Sequence, residues 1–180
     1  MARIVRMTSA ETWAAKCNNM IRKVNSDTDV RAIAEIYNHY ISATTVSFEI
    51  DCLDIEEMRD RIVEISERYP YYVYVDNDEV IGYCYAHPWK ERPAYSLTLE
   101  TTIYLAANAR HRGVGKQLMD KLIEECRLRG YHALVACITA ENEESCAFHR
   151  TLGFEKVSCF REVGCKFGRF LDVVDYQLIL

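Results

Sequence analysis

Apolar residues recur along this chain with the two periods that distinguish helices from strands. Spacings of three and four residues predict a helix over residues 28–40, which Ser26 or Asp27 is suited to cap, and a second helix from Asp54 to just before Pro70. The same spacing predicts a helix over residues 114–129 and another that ends at Leu152. Each of these helices would bury one apolar face against a sheet.

Alternating or continuously apolar stretches predict about seven strands, at residues 20–24, 71–75, 80–86, 96–105, 131–138, 154–162 and 171–180. The polar turn at residues 76–79 joins the second and third of them as a hairpin. Strand 131–138 follows a helix, so it is most simply parallel to strand 96–105 and completes a right-handed β-α-β unit. The pattern therefore predicts an α/β domain over residues 20–180.

Residues 96–105 alternate most regularly, with their apolar side chains on one face. Glu100 lies on the opposite face, among the hydroxyl groups of Thr98, Thr102 and Tyr104. A carboxylate in the middle of such a strand is unusual. It lies either on a solvated face or in a cleft.

Two further segments are set apart by their composition. Residues 87–95 contain Pro88 and Pro93, so they are predicted to form a loop rather than a central strand. Residues 1–19 look like an N-terminal extension, with a short helix that Thr8 would cap, and we assign them no function.

Composition narrows the class of protein. A chain of 180 residues with 49% hydrophobic and 27% charged residues is typical of one soluble domain. The net charge of −5 argues against general binding to nucleic acid, and no apolar run is long enough for a membrane span. The start lacks the apolar core of a signal peptide, so we expect a cytoplasmic protein. Its eight cysteines contain no Cys-x-x-Cys pair, which gives no indication of a metal site.

A basic, glycine-containing stretch precedes the third predicted helix. Its two glycines permit a tight turn, and the following helix start offers unpaired N–H groups and the positive end of a dipole. These features predict a pyrophosphate-binding loop. Its residues are Arg110, His111, Arg112, Gly113, Val114, Gly115 and Lys116.

Two other phosphate loops do not fit this stretch. A dinucleotide-binding fingerprint needs a third glycine where Leu118 stands, and a P-loop needs Ser or Thr where Gln117 stands. An ordinary glycine-containing turn with solvated charges remains the alternative.

The pattern Arg-x-x-Gly-x-Gly resembles the acyl-CoA pyrophosphate loop of the GCN5-related N-acetyltransferase (GNAT) superfamily. Residues 142–154, which run from Asn142 into Leu-Gly-Phe, resemble the second signature of that superfamily. His149 stands where many members have the Tyr that is credited with protonating the leaving thiolate. Residues 36–41, 45–49, 68–70, 85–90 and 164–169 further resemble the phosphinothricin N-acetyltransferase group.

This resemblance implies a mixed, splayed sheet flanked by helices, with acetyl-CoA entering between the strands around Ile103 and Val135. It also implies a homodimer that acetylates the α-amine of small amino-acid analogues such as phosphinothricin, methionine sulfone and methionine sulfoximine. Main-chain N–H groups near residues 103–105 would polarise the thioester carbonyl if strand 96–105 bulges at these residues, as the family implies. Besides the glycine loop, the implied coenzyme contacts are Ile103, Tyr104, Leu105, Asn142 and Ser145.

Acetyl transfer needs an unprotonated amine, and a base that removes the proton typically contributes about 10²–10⁴-fold in rate. Glu100 is our candidate base, because of its place on the strand and its match to the family's proposed catalytic glutamate. The alternative is a structural carboxylate paired with a cation. His149 would contact the substrate, protonate the thiolate or act as a base itself, although a lone helical histidine is often structural.

Cations and aromatic side chains in several segments suggest a pocket for a compact, anionic amine. The candidate substrate-binding residues are Phe48, Tyr85, Lys90, Arg92, Tyr95, Thr102 and Tyr104. The alternative is that Lys90 and Arg92 are charged, solvent-exposed residues of a loop and bind no substrate.

Three alternatives to this reaction stay open. One is an acyl-cysteine route through Cys137 or Cys146, although direct transfer is simpler. The second is acetylation of a protein or peptide. The third is a coenzyme-binding sensor without turnover.

Overall fold

The computed structural model describes residues 19–180, so the predicted helix near Thr8 lies outside the described residues. Within these described residues, four α-helices and eight strands follow one another. The helices are α1 Val30–Ala43, α2 Ile55–Ser66, α3 Val114–Leu128 and α4 Glu143–Thr151. The strands are β1 Met20–Lys23, β2 Tyr71–Asp76, β3 Glu79–Pro88, β4 Thr98–Leu105, β5 Ala133–Thr139, β6 Glu155–Lys156, β7 Phe160–Lys166 and β8 Arg169–Ile179.

One mixed sheet contains all of these strands, in the order β1-β2-β3-β4-β5-β8-β6, with β7 paired to β8. Neighbouring strands are antiparallel except for β4 and β5, which are parallel as predicted. The pairing of β4 with β5 covers only three residue pairs and ends at Glu100 and Val135. The predicted α/β fold with a splayed sheet and flanking helices is confirmed.

Helices cover both faces of the sheet because each has an apolar stripe. Helices α1 and α2 pack on one face, in a core that includes Ile33, Ile62 and Tyr83. On the other face, the predicted stripe of α3 is buried, and the core there includes Leu118 and Cys146.

The caps of the first two helices differ from each other. Asp54 caps α2 in a reciprocal capping box with Glu57, as the sequence indicated. Neither Ser26 nor Asp27 caps α1, because the residue before that helix is the buried Asp29, whose carboxylate is bound by Arg22 at 2.6 and 2.7 Å.

Three details of the strands correct the prediction. Strand β3 extends through His87 and Pro88, which pair with Glu100 and Leu99 at its end. The stretch expected as one strand over residues 154–162 is divided into β6 and β7, so the sheet has eight strands rather than about seven. Gly164 lies inside β7, and the turn to β8 is made at Phe167 and Gly168, which both have positive φ.

Candidate active site

A cavity of about 970 Å³ opens where β4 and β5 separate. Residues from the loop after α1, from α2, from β3 to β5 and from α4 line it together. Its walls include many of the candidate residues from distant parts of the sequence. These are Phe48, Tyr85, Glu100, Thr102, Ile103, Tyr104, Asn142, Ser145 and His149.

The gap arises from the end of the parallel ladder. Beyond Glu100 and Val135 the two strands are no longer paired. One side-chain contact remains, in which the Thr101 hydroxyl donates to the Val135 carbonyl at 3.3 Å. Strand β4 keeps an unbroken register with β3 as far as Leu105, so the bulge expected at residues 103–105 is not present. Divergence from β5 therefore exposes the edge of β4 without any distortion of that strand.

Glu100 lies at the point where the strands separate. Its side chain is 28% exposed, and its Oε1 atom lies 3.9 Å from Nε2 of His87. Burial raises the pKa of Glu100 to about 6, and the nearby charge of Asp175 adds to the rise. Burial also lowers the pKa of His87, which keeps that imidazole neutral near neutral pH. Within residues 19–180, Glu100 forms no ion pair with Lys or Arg, and above about pH 6 it is ionised, which is the form a base requires.

His149 lies on α4 and is buried, with 3% of its surface exposed. Its Nδ1 atom is 2.9 Å from the Ser145 carbonyl oxygen, so Nδ1 carries the proton and donates to that oxygen. Burial lowers the pKa of His149, which favours the neutral imidazole. Nε2 of this tautomer has no proton. The geometry therefore favours His149 as an acceptor of a hydrogen bond over its alternative role as the acid for the thiolate.

The glycine loop precedes α3 and turns sharply. Gly113 has φ +77° immediately before the helix, and His111 also has positive φ. A Cβ atom on Gly113 would meet no other atom within 4 Å, so the position requires glycine for its backbone conformation and leaves open space beside the helix start. This open, N–H-rich terminus suits a pyrophosphate.

The loop cations already have acidic neighbours. Arg110 pairs with Glu144, Arg112 binds Asp76 at 2.7 Å, and Lys116 binds Asp120 at 2.6 Å. Their formal charges are thus partly balanced. The unpaired N–H groups of the first turn of α3 remain as donors for an anion.

The loop is joined to the cavity through Gly115. A Cβ atom placed on Gly115 would lie 3.4 Å from the Leu105 side chain, 3.5 Å from that of Phe148 and 3.7 Å from that of Ile103. Phe148 belongs to α4, whose start is capped by the Asn142 side chain, which accepts from the Ser145 N–H at 3.1 Å. The starts of α3 and α4 therefore flank the gap beside β4.

The candidate substrate residues fall into two groups. Phe48, Tyr85, Thr102 and Tyr104 line the cavity. Three others, with Glu91, line a separate hollow of about 510 Å³, and the Lys90 ammonium lies 3.9 Å from the centre of the Trp89 ring. The structure does not bring these three to the cavity, and their role in substrate binding stays a prediction. They are Lys90, Arg92 and Tyr95.

Several cavity residues were not singled out from the sequence. Arg61 and Glu49 form an ion pair at 2.7 Å, and Tyr37 donates to Glu49 at 3.3 Å. Arg61 lies next to the apolar stripe of α2, but the spacing alone does not tell which flank of a helix meets a cavity. Lys166 is also buried and donates to the Ser47 carbonyl at 2.6 Å.

Two general properties concern the described part of the chain. No helix among residues 19–180 is long and apolar enough to cross a membrane. Within the same residues, no group of three or more His, Cys, Asp or Glu side chains is arranged to hold a metal ion.

Sequence comparisons give a consistent family. The sequence model of the Acetyltransferase (GNAT) family matches residues 33–154. A phosphinothricin N-acetyltransferase of Streptomyces coelicolor is 35% identical over 153 residues, which cover 83% of this chain and 90% of that protein. An L-methionine sulfoximine/L-methionine sulfone acetyltransferase of Salmonella typhimurium is 33% identical, with 84% and 90% covered.

Solved structures agree with these relatives. A phosphinothricin acetyltransferase from Sinorhizobium meliloti, in complex with acetyl-CoA, superposes with a TM-score of 0.86 at 35% identity and covers 90% of this chain and 88% of that chain. A structure from Brucella melitensis, described as a ribosomal-protein-alanine N-acetyltransferase, has a TM-score of 0.85 at 36% identity, with 89% and 99% covered.

A first prediction concerns Glu100. In the wild type, log(kcat/KM) should rise with pH through about 6 and then level off, because Glu100 accepts a proton only when it is ionised. Glu100→Gln should lower kcat by about 10²–10⁴-fold and remove this acid limb. Steady-state rates between pH 5 and 8, measured by thiol release, test this.

The matched control is Glu64→Gln, because Glu64 is another carboxylate of the cavity wall but lies on the exposed side of α2. It should leave both kcat and the acid limb close to wild type. An unchanged kcat in Glu100→Gln would exclude Glu100 as the base.

A second prediction concerns the glycine loop. Gly113→Val should weaken acetyl-CoA binding by about tenfold or more. A β-branched residue at this positive φ is strained by about 1–2 kcal/mol, and the loop relieves the strain by changing its shape. Gly130→Val is the control, since Gly130 has nearly the same φ of +78° and open surroundings at the other end of α3. Calorimetry of both variants decides: equal affinity in both would refute the assignment of the loop.

Proposed function

Because the chain belongs to the acetyltransferase (GNAT) family, we propose that it transfers an acetyl group from acetyl-CoA to the α-amine of a small amino-acid analogue. The chain is an N-acetyltransferase that uses acetyl-CoA, as its family and its neighbours of known structure do. The observation that carries the proposed substrate class is the cavity itself. It joins Glu100, which forms no ion pair with Lys or Arg in residues 19–180, to a wall of aromatic side chains. One of its lining residues, Ile103, lies 3.7 Å from the Cβ position of Gly115 at the start of α3.

Each half of the reaction has residues suited to it. The N–H groups at the start of α3, after Gly113, would hold the pyrophosphate of the coenzyme. Bound acetyl-CoA supplies the activated acetyl thioester. Glu100 would take the proton of the incoming ammonium, directly or through a water, and His149 Nε2 would accept a hydrogen bond from the substrate. Ile103 and Tyr104 at the open edge of β4, with Asn142 and Ser145 on α4, would line the path of the coenzyme.

The proposed amine is small because its part of the cavity is built from large aromatic side chains. The Tyr104 ring centre lies 5.0 Å from those of both Tyr37 and Tyr40, and Tyr40 donates to the Leu105 carbonyl at 2.8 Å. Phe48 packs directly against Gly164 of β7, where no side chain would fit without displacing its ring. These contacts support a compact ligand with an apolar chain.

Acetylation of a protein or peptide is the second candidate, because the Brucella melitensis neighbour is described as a ribosomal-protein-alanine N-acetyltransferase. A peptide would need an open groove, whereas aromatic rings wall this cavity. The first candidate is therefore preferred.

Two further expectations belong to this proposal. We propose a homodimer, supported by the family resemblance and by exposed apolar side chains on β7, β8 and the turn between them, namely Phe160, Val163, Phe167 and Phe170. We also propose that the enzyme works in the cytoplasm. Within residues 19–180 all seven cysteines are free thiols, which is usual in a reducing compartment.

A thiol-release assay tests the function. The enzyme is mixed with acetyl-CoA and, separately, phosphinothricin, methionine sulfone, a peptide with an N-terminal alanine, and buffer. We expect release above the buffer blank with at least one of the two small analogues and little with the peptide. Release with the peptide alone would support the second candidate. No release with any amine, despite coenzyme binding, would indicate a coenzyme-binding sensor.

A further inference from the structure

A small amino-acid analogue carries a carboxylate beside its amine, and a buried carboxylate needs a cationic or N–H partner. Lys90 and Arg92, the cations expected from the sequence, line a separate hollow. Among the described residues of the main cavity, the two guanidinium groups are those of Arg61 and Arg68. Arg68 is exposed beyond the end of α2, whereas Arg61 lies within that helix and is 34% exposed.

Arg61 is held in place by a chain of contacts. Its Nη1 atom is 2.7 Å from Oε1 of Glu49, and its guanidinium carbon is 5.7 Å from the centre of the Tyr37 ring. Tyr37 donates to Glu49 at 3.3 Å and accepts from the Ser47 hydroxyl at 3.2 Å. The main chain at Ser47 is in turn bound by the buried Lys166. A guanidinium fixed in this way loses little freedom when a ligand binds.

The ion pair with Glu49 leaves much of the guanidinium available. Its one contact with a carboxylate in residues 19–180 uses Nη1 and a single oxygen of Glu49, whereas guanidinium offers five donors in a planar fork. The guanidinium can therefore bind the carboxylate of a ligand while it stays paired with Glu49. Glu49 also offsets the charge of Arg61, so the pair does not by itself repel the ammonium of an amino acid.

Arg61, Tyr85 and Glu100 all line the cavity. Burial raises the pKa of Tyr85; the charge of Arg61 opposes this rise and that of Glu100 adds to it. Tyr85 lies on β3 directly opposite Thr102, and its ring centre is 4.9 Å from that of Tyr71. An α-amino acid carries its ammonium and carboxylate on one carbon atom. It would meet both side chains if the carboxylate faced α2 and the amine faced β4.

We propose that Arg61 binds the α-carboxylate of the substrate through the guanidinium donors that Glu49 does not use. This rests on the proposed function and deepens it, because Arg61 would then select amino acids over simple amines. Arg61 takes no part in the chemistry of transfer. Its loss should appear in KM and leave kcat nearly unchanged.

The test compares methionine sulfone with its carboxamide, which keeps the amine and the side chain but lacks the negative charge. Arg61→Leu should raise KM for methionine sulfone by about 10–100-fold, since a hydrogen-bonded charge pair contributes about 1.5–3 kcal/mol. It should change KM for the carboxamide by less than about threefold. Arg61→Lys should show a smaller rise in KM for methionine sulfone than Arg61→Leu. It also replaces Arg61→Leu as the test variant if the leucine variant folds poorly.

Arg59→Leu is the matched control. Arg59 lies two residues earlier on α2, is exposed to a similar degree, and pairs with Asp27 outside the cavity. It should change neither KM. Equal rises for acid and carboxamide in Arg61→Leu, or no rise for the acid, would overturn the proposal. If the wild-type enzyme releases no thiol with methionine sulfone, phosphinothricin and its carboxamide replace this pair of compounds. If it releases none with these either, the proposed function itself fails and the assignment of Arg61 fails with it.

Discussion

The early end of hydrogen bonding between β4 and β5 is the constraint on which the rest of this site depends. After three residue pairs the ladder stops at Glu100 and Val135, while β4 stays paired with β3 and β5 with β8. The outer pairings keep both strands extended, so the gap between them is stable. Gly115, at the start of α3, lies close to Leu105 and Ile103 on β4, and Asn142 and Ser145, at the start of α4, line the cavity. We propose that coenzyme binding and catalysis both depend on this one interruption in the sheet.

The electrostatic character of the cavity follows from which charges are paired. Arg110, Arg112 and Lys116 each have a carboxylate neighbour, and Arg61 is balanced by Glu49. Within residues 19–180, Glu100 has His87 rather than a Lys or Arg side chain beside it, and burial together with Asp175 raises its pKa. Glu100 is therefore a basic carboxylate at the point where β4 and β5 separate, in contrast to Glu49, which is paired with Arg61. This arrangement suits removal of a proton from an ammonium close to neutral pH.

Much of the fold was predictable because local pattern and tertiary structure agree. The alternation in β4 indicated the face on which Glu100 lies, and the stripe of α3 indicated its buried side. Gly113 was recognisable because its position needs a positive φ. The cations that reach the cavity were not predictable. Arg61 enters it because the loop after α1 folds Glu49 against α2, and Lys90 lies outside because β3 extends through Pro88. Both depend on contacts between segments distant in sequence. The roles assigned to individual site residues remain predictions.

The central claim is that amine and thioester meet in one cavity and react directly, with Glu100 as the base. A single-turnover experiment tests it most directly: enzyme preloaded with a stoichiometric amount of acetyl-CoA is mixed rapidly with methionine sulfone or with buffer. We expect thiol to appear only with the amine, at a rate that increases as pH rises through about 6, and N-acetylated product to form at the same rate. A stoichiometric burst of thiol in buffer alone, with the acetyl group found on Cys137 or another protein side chain, would contradict it.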